Sequence, residues 1–281
     1  MTTPWILVDT QKKWQLAADD FERIKVLSID TEYDSFRYFR EKLCLIQICA
    51  GQTVYIFDPL DSLNLSFLGR YFADARWLKI LHAADNDIRL LKRDYRFQFR
   101  NIFCTHRAAM ILGFKELSLE KMIKEFVGVE LKKSKKIQRS RWDKRPLTEE
   151  QFQYAAQDVI YLARLCERQS RELTAMDLRE TAAQAFVKIA ETDWQEKTFN
   201  RHSHKRIKGY EGLDQEQKFL LKKLDSWRFQ RAKEENRAIF MFLADSHLLG
   251  LAQDAGHPEK YLSQRKMKVY GREIEQIIHH R

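Results

Sequence analysis

Val26-Leu27-Ser28-Ile29-Asp30-Thr31-Glu32 decides the fold. Its first four residues read as a buried strand, and two carboxylates follow two positions apart. Side chains alternate faces along a strand, so Asp30 and Glu32 point the same way. Adjacent acids repel and raise each other's pKa unless a cation lies between them. The stretch is therefore either a strand that ends in a polar turn or half of a metal or acid/base site. Upstream, Trp5-Ile6-Leu7-Val8 reads as an edge strand, with Asp9 or Thr10 capping a short helix towards Ala18. Downstream, a polar and aromatic stretch through Asp34, Phe36 and Phe39 leads to Leu43–Cys49, a second apolar strand. Gly51-Gln52 makes a tight connection to Thr53–Asp58. These strands form an antiparallel meander, after which helix and strand alternate. A helix lies in the sixties and early seventies, then come a strand at Leu78–His82, a helix at Asp85–Lys92, a strand at Ile102-Phe103 and a helix at Arg107–Leu112. From Ser118 onward the pattern is helical throughout. A meander followed by βαβ crossovers predicts a mixed sheet with helices on both faces.

The chain has 281 residues, 44% of them hydrophobic and 12% aromatic, enough for one large domain or two ordinary ones. Its net charge of +10 points to an anionic partner, with nucleic acid ahead of a membrane surface. No apolar run approaches a membrane-spanning length, and the N-terminus shows no secretory signal. Cys44, Cys49, Cys104 and Cys166 lack metal-ligand spacing and lie in apolar segments, which predicts reduced core thiols in a cytoplasmic protein. Arg201, His202, His204, Lys205, Arg206 and Lys208 mark a basic, poorly periodic segment. The expected division is an α/β domain over 1–175, a helical and basic linker over 176–208 and a small all-α domain over 209–281.

Partners for the two acids lie further along. In Phe152–Leu162, Ala155, Val159 and Leu162 form the apolar stripe of a helix, and Tyr154 and Asp158 stack four residues apart at its border. A carboxylate there is partly buried and needs a cation or strong donors. Thr148 and Gln151 give this helix a capping-box start. His82–Ile88 runs off a strand end into a helix; Asp85 is the natural N-cap, leaving Asp87 in the first turn without a structural role. Four acids at strand ends and helix starts, with no Cys/His cluster, suit hard divalent cations. Two such ions about 3.5–4 Å apart serve phosphodiester hydrolysis. The residues thus read as a metal-dependent nuclease or phosphotransferase.

Asp30-x-Glu32, Asp87 and Tyr154-x₃-Asp158 resemble the three motifs of the DEDDy 3′–5′ exonucleases. Leu43–Gln47, His82-Ala83 before Asp87, and Arg145–Thr148 leading to Tyr154–Val159 resemble ribonuclease D more particularly. Ile207–Gly209, Leu213 and the tract Asn236–Ala252 are similar to an HRDC domain, a helical nucleic-acid-binding unit. The resemblance implies a ribonuclease H-like mixed-sheet exonuclease domain followed by a small HRDC domain. It implies that Asp30, Glu32 and Asp158 hold one of two Mg²⁺ or Mn²⁺ ions and that Asp30 bridges to the second, near Asp87. Tyr154 then holds the attacking water, and 5′-mononucleotides leave an RNA 3′ end, with tRNA precursors as the expected substrate and a monomer as the expected state. Cys104-Thr105, Ser140-Arg141-Trp142 and Glu41 depart from the family pattern without touching the five catalytic positions.

Lys132, Lys133, Lys135, Lys136, Arg139, Arg141, Lys144 and Arg145 cluster before the Tyr154 helix, either as a solvated loop or as a phosphate grip. Trp142 reads as a base-stacking ring or a core anchor, and Phe36 as a wedge for a terminal base or a packing residue. His82 completes the candidate nucleic-acid contacts. The motifs leave open a Werner-type DNA 3′–5′ exonuclease and a non-catalytic RNA-binding protein.

Overall fold

The computed structural model describes residues 4–61, 63–131 and 134–279. The chain divides into two units, Met1–Asp34 with Leu43–Trp194, and Ser35–Lys42 with Gln195–Arg281.

The first unit is built on a sheet of β1 (Trp5–Leu7), β2 (Val26–Asp34), β3 (Lys42–Ala50), β4 (Thr53–Phe57), β5 (Leu78–Leu81) and β6 (Ile102–Cys104), in the order β1-β4-β3-β2-β5-β6. β3 and β4 are antiparallel, whereas β1 runs parallel to β4, β5 to β2 and β6 to β5. The antiparallel β3–β4 pair of the expected meander is present, and the parallel β2, β5 and β6 require the expected crossovers. Gly51, at φ 65°, makes the turn from β3 to β4 that a side-chain-bearing residue resists. β2 lies inside the sheet between β3 and β5, and Leu27 and Ile29 are fully buried.

Around the sheet lie α1 (Gln11–Ile24), α2 (Leu68–Ala73), α3 (Asp85–Tyr95), α4 (Thr105–Ile111), α5 (Leu119–Val127), α6 (Lys135–Gln138), α7 (Glu149–Ile160), α8 (Leu162–Ala175) and α9 (Arg179–Glu191). Thr10 caps α1 and Ser118 caps α5, each accepting a hydrogen bond from the third residue of its helix. α7 begins with the expected capping box of Thr148 and Gln151. α3 departs from expectation. Ala84 occupies its N-cap without a side-chain bond, and Asp85 instead faces Arg107 at 3.5 Å. Ala83 just before it holds a left-handed φ of 55°, an uncommon conformation for a residue with a Cβ. This unit reaches beyond the expected 1–175 because α9 packs on the edge strand, with the Phe186 and Phe103 rings 4.7 Å apart. The four cysteines are free and buried, and no helix among the described residues is long and apolar enough to cross a membrane.

The second unit is helical, with α10 (Gln215–Glu234), α11 (Ile239–Phe242), α12 (Asp245–Gln253) and α13 (Gln264–His279). Leu221, Leu224, Phe242, Leu248, Leu251 and Ile274 form its core. Residues 35–42 belong here, not with the strands that flank them in sequence. Phe39 enters the helical core edge-on to Phe229, its carbonyl accepts from Lys197 at 2.6 Å, and the Arg40 amide donates to Asn236 at 2.7 Å. Arg40 also pairs with Glu196. Within the basic segment, His204 and Ile207 are buried.

Candidate active site

The alternation of β2 brings Asp30 and Glu32 to one face, and α7, which packs against β2, supplies Asp158. One carboxylate oxygen from each of the three residues lies within 4.8 Å of the others. Asp158 is only 5% exposed. Carboxylates this close and this shielded repel strongly, and a divalent cation among them removes that cost. The donor set is entirely oxygen, which fits Mg²⁺ or Mn²⁺ rather than a softer metal.

Tyr154 lies one turn before Asp158 on α7 and is buried. Burial, followed by the negative charge of Asp158, Glu32 and Asp30, raises its phenol pKa far above the ordinary value. A phenol at this place can orient a water by hydrogen bonding. Asp87 stands apart from the three-acid group. The hydroxyl of Thr31, between Asp30 and Glu32 on β2, donates to its carboxylate, and burial pushes its pKa up to about 7. Thr31 thereby ties β2 to the first turn of α3, a role that the strand pattern alone does not reveal.

The candidate nucleic-acid contacts separate sharply. Trp142 is 2% exposed, 6.0 Å from the Tyr154 ring between centroids, and its indole donates to the Gln138 carbonyl. It is a core residue with no free face for a base. Arg145 grips both oxygens of Asp58, one at 2.6 Å, and donates to the carbonyls of Cys44 and Trp142 at 2.7 Å each, so its guanidinium is engaged within the fold. His82 is likewise engaged, with Nδ1 2.8 Å from the Thr105 hydroxyl and Nε2 2.9 Å from the Leu117 carbonyl. Lys135, Lys136 and Arg139 are exposed on and just after α6, whereas Lys132 and Lys133 fall outside the described residues. Phe36 lies in the second unit.

A mixed α/β sheet whose inner strand and a packed helix together present a shielded three-carboxylate cluster defines a nuclease-type domain. Residues 6–174 match the family model described as 3′–5′ exonuclease, and the chain belongs to that family. It is 31% identical over 261 residues to the exosome complex component 10 homolog of Drosophila melanogaster, covering 89% of this chain and 28% of that protein. It is 30% identical over 232 residues to ribonuclease D of Desulfotalea psychrophila, covering 82% of this chain and 62% of the relative. The chain thus spans less than two thirds of the length of either relative. In fold it is similar to the catalytic core of RRP6 from Trypanosoma brucei, with a TM-score of 0.89 and 23% identity over 99% of this chain and 80% of that one.

Proposed function

We propose that this protein is a metal-dependent 3′–5′ exoribonuclease that releases 5′-mononucleotides from RNA 3′ ends. The convergence of Asp30, Glu32 and Asp158 within 4.8 Å, in a chain of the 3′–5′ exonuclease family, carries this reading. Asp30, Glu32 and Asp158 would hold one divalent cation, and Asp87 would help to hold a second. When bound, the pair of divalent ions supplies activation of water and neutralisation of charge on the leaving oxygen. Tyr154 aligns the attacking water through its phenol oxygen, and Thr31 fixes the Asp87 carboxylate. The helical second unit acts as an HRDC-type nucleic-acid grip. Relatives named ribonuclease D and exosome complex component 10 support RNA as the substrate. Transfer-RNA precursors as its natural source and the cytoplasm as the place of action are proposed from the resemblance to ribonuclease D alone.

Tyr154→Phe is expected to lower the single-turnover rate by about 10²-fold, the low end of what a positioned proton-handling group contributes. Cation affinity measured by calorimetry should stay near that of the wild type, because the phenol is not assigned as a ligand; an unchanged rate would remove Tyr154 from the mechanism. Lys135→Gln combined with Lys136→Gln should weaken RNA binding and flatten the slope of log affinity against log salt by about 0.7 for each phosphate no longer neutralised. Anisotropy titrations at several salt concentrations check this, and an unaltered slope would count against these lysines neutralising phosphates.

The function itself is tested by digesting 5′-labelled single-stranded RNA and DNA of one sequence in Mg²⁺ or Mn²⁺. A ladder that shortens the RNA from its 3′ end and releases 5′-mononucleotides is expected. Equal or faster digestion of the DNA would overturn the RNA assignment.

A further inference from the structure

The positive charge of this protein is concentrated in the second unit. Ser35–Lys42 and Gln195–Arg281 together contain 21 Lys and Arg against 13 Asp and Glu, a net +8 of the chain's +10. The same unit exposes aromatic surface. Phe36 is 61% exposed, Phe240 50% and Met241 41%. The Phe36 and Phe240 ring centroids are 4.9 Å apart with the planes tilted by 59°. Phe219 is exposed as well, whereas Phe39 packs edge-on to Phe229 and Trp227 edge-on to Phe242. Water contact with two touching aromatic rings costs free energy that a purely structural arrangement would avoid by burying them.

The two segments are tied to each other through the backbone. The Ala238 amide donates to the Arg37 carbonyl at 2.9 Å, which brings residues 36–37 beside the start of α11. Arg237 donates to the Met241 carbonyl at 3.3 Å and lies 3.6 Å from Glu235. The Arg37 guanidinium lies 5.8 Å from the Phe36 ring centroid. The surface thus joins two rings on separate chain segments with two arginines. Aromatic faces bind bases of any sequence by stacking, and a basic surface follows the phosphates between them. The surplus positive charge favours such a polyanion over an apolar protein face.

We propose that Phe36 and Phe240 form a stacking platform for consecutive bases of single-stranded RNA, with Arg37 and Arg237 at the phosphates. The proposal rests on the reading of this chain as an RNA 3′-end nuclease and names a place where that RNA is held.

The test uses full-length Asp158→Asn protein, silenced for hydrolysis, and a single-stranded RNA carrying 2-aminopurine at successive positions. Phe36→Ala and Phe240→Ala are each expected to lower affinity on the order of tenfold. The salt slope should not change, because every cationic side chain is retained. The 2-aminopurine quench at the stacked position should disappear. Neither ring belongs to the buried core, so thermal unfolding should stay near that of the parent. Affinity and quench like the parent's in the double variant overturn the proposal, as does a concentration-dependent dimer that only the double variant abolishes while RNA binding is unchanged. Wild-type protein is incubated with the same RNA in Mg²⁺. If it shortens the RNA while the double variant binds normally, the platform is wrong and the nuclease reading stands. If the wild type leaves the RNA intact, the nuclease reading falls and the proposal with it.

Discussion

Asp158→Asn is expected to reduce phosphodiester hydrolysis by roughly 10³-fold or more while leaving RNA affinity within a few-fold of wild type. Asp158 closes the three-carboxylate group from α7, opposite Asp30 and Glu32 on β2. An amide of the same shape keeps the packing and removes the charge that a cation needs. Bound metal supplies several kcal/mol of transition-state stabilisation, and each 1.36 kcal/mol is a decade in rate. Removing a repelling carboxylate from a shielded cluster also relieves electrostatic cost, so the variant should be at least as stable to heat as the wild type. Single-turnover kinetics and anisotropy on the same RNA separate the two effects. Near-normal turnover in Asp158→Asn would dismiss this residue as a ligand.

Arg228→Ala is expected to destabilise the helical unit by about 3–5 kcal/mol, the cost of leaving a buried charge without its partner. Arg228 and Asp225 are both buried on α10 and pair at 2.8 Å. Arg228 also reaches Asp245 at 2.6 Å and the Leu243 carbonyl at 3.0 Å, linking α10 to the start of α12. Asp225 accepts in turn from the Ser203 hydroxyl. Truncating the arginine leaves the buried Asp225 carboxylate without its ion-pair partner. Urea unfolding checks the prediction. Combining Arg228→Met with Asp225→Leu should recover much of the loss, since replacing both members by apolar groups removes the desolvation cost. A shift in Arg228→Ala below about 1 kcal/mol, the range of an exposed ion pair, would show that the pair is not a structural tie.

The parts of this protein governed by local periodicity were legible from its residues. The alternation in Val26–Glu32 gave the face that Asp30 and Glu32 share, and the four-residue spacing of Tyr154 and Asp158 put both on one side of α7. Thr148 and Gln151 announced the start of that helix through a local bond pair. What escaped depends on distant partners. Trp142 carries no sign of whether its ring turns inward, and Arg145 looks like any basic residue until Asp58, far away in sequence, meets it. Asp85 suits an N-cap by type, yet Arg107 and the left-handed Ala83 settle the turn differently. Thr31 was invisible as a partner of Asp87 because strand alternation describes faces and not what lies across them. The placement of residues 35–42 in the helical unit is also non-local, fixed by Phe39, Arg40 and bonds to residues about 160 to 200 positions later.

Hydrolysis is proposed to depend on a cation held among Asp30, Glu32 and Asp158. Titrating Mn²⁺ into the wild-type protein and into Asp30→Asn/Glu32→Gln/Asp158→Asn, with electron paramagnetic resonance counting the free ion, measures that binding directly. The wild type is expected to remove Mn²⁺ from solution in a saturable way, and the triple variant, folded by circular dichroism, to leave it free. Equal Mn²⁺ binding by the two proteins would contradict a cation site at these three residues.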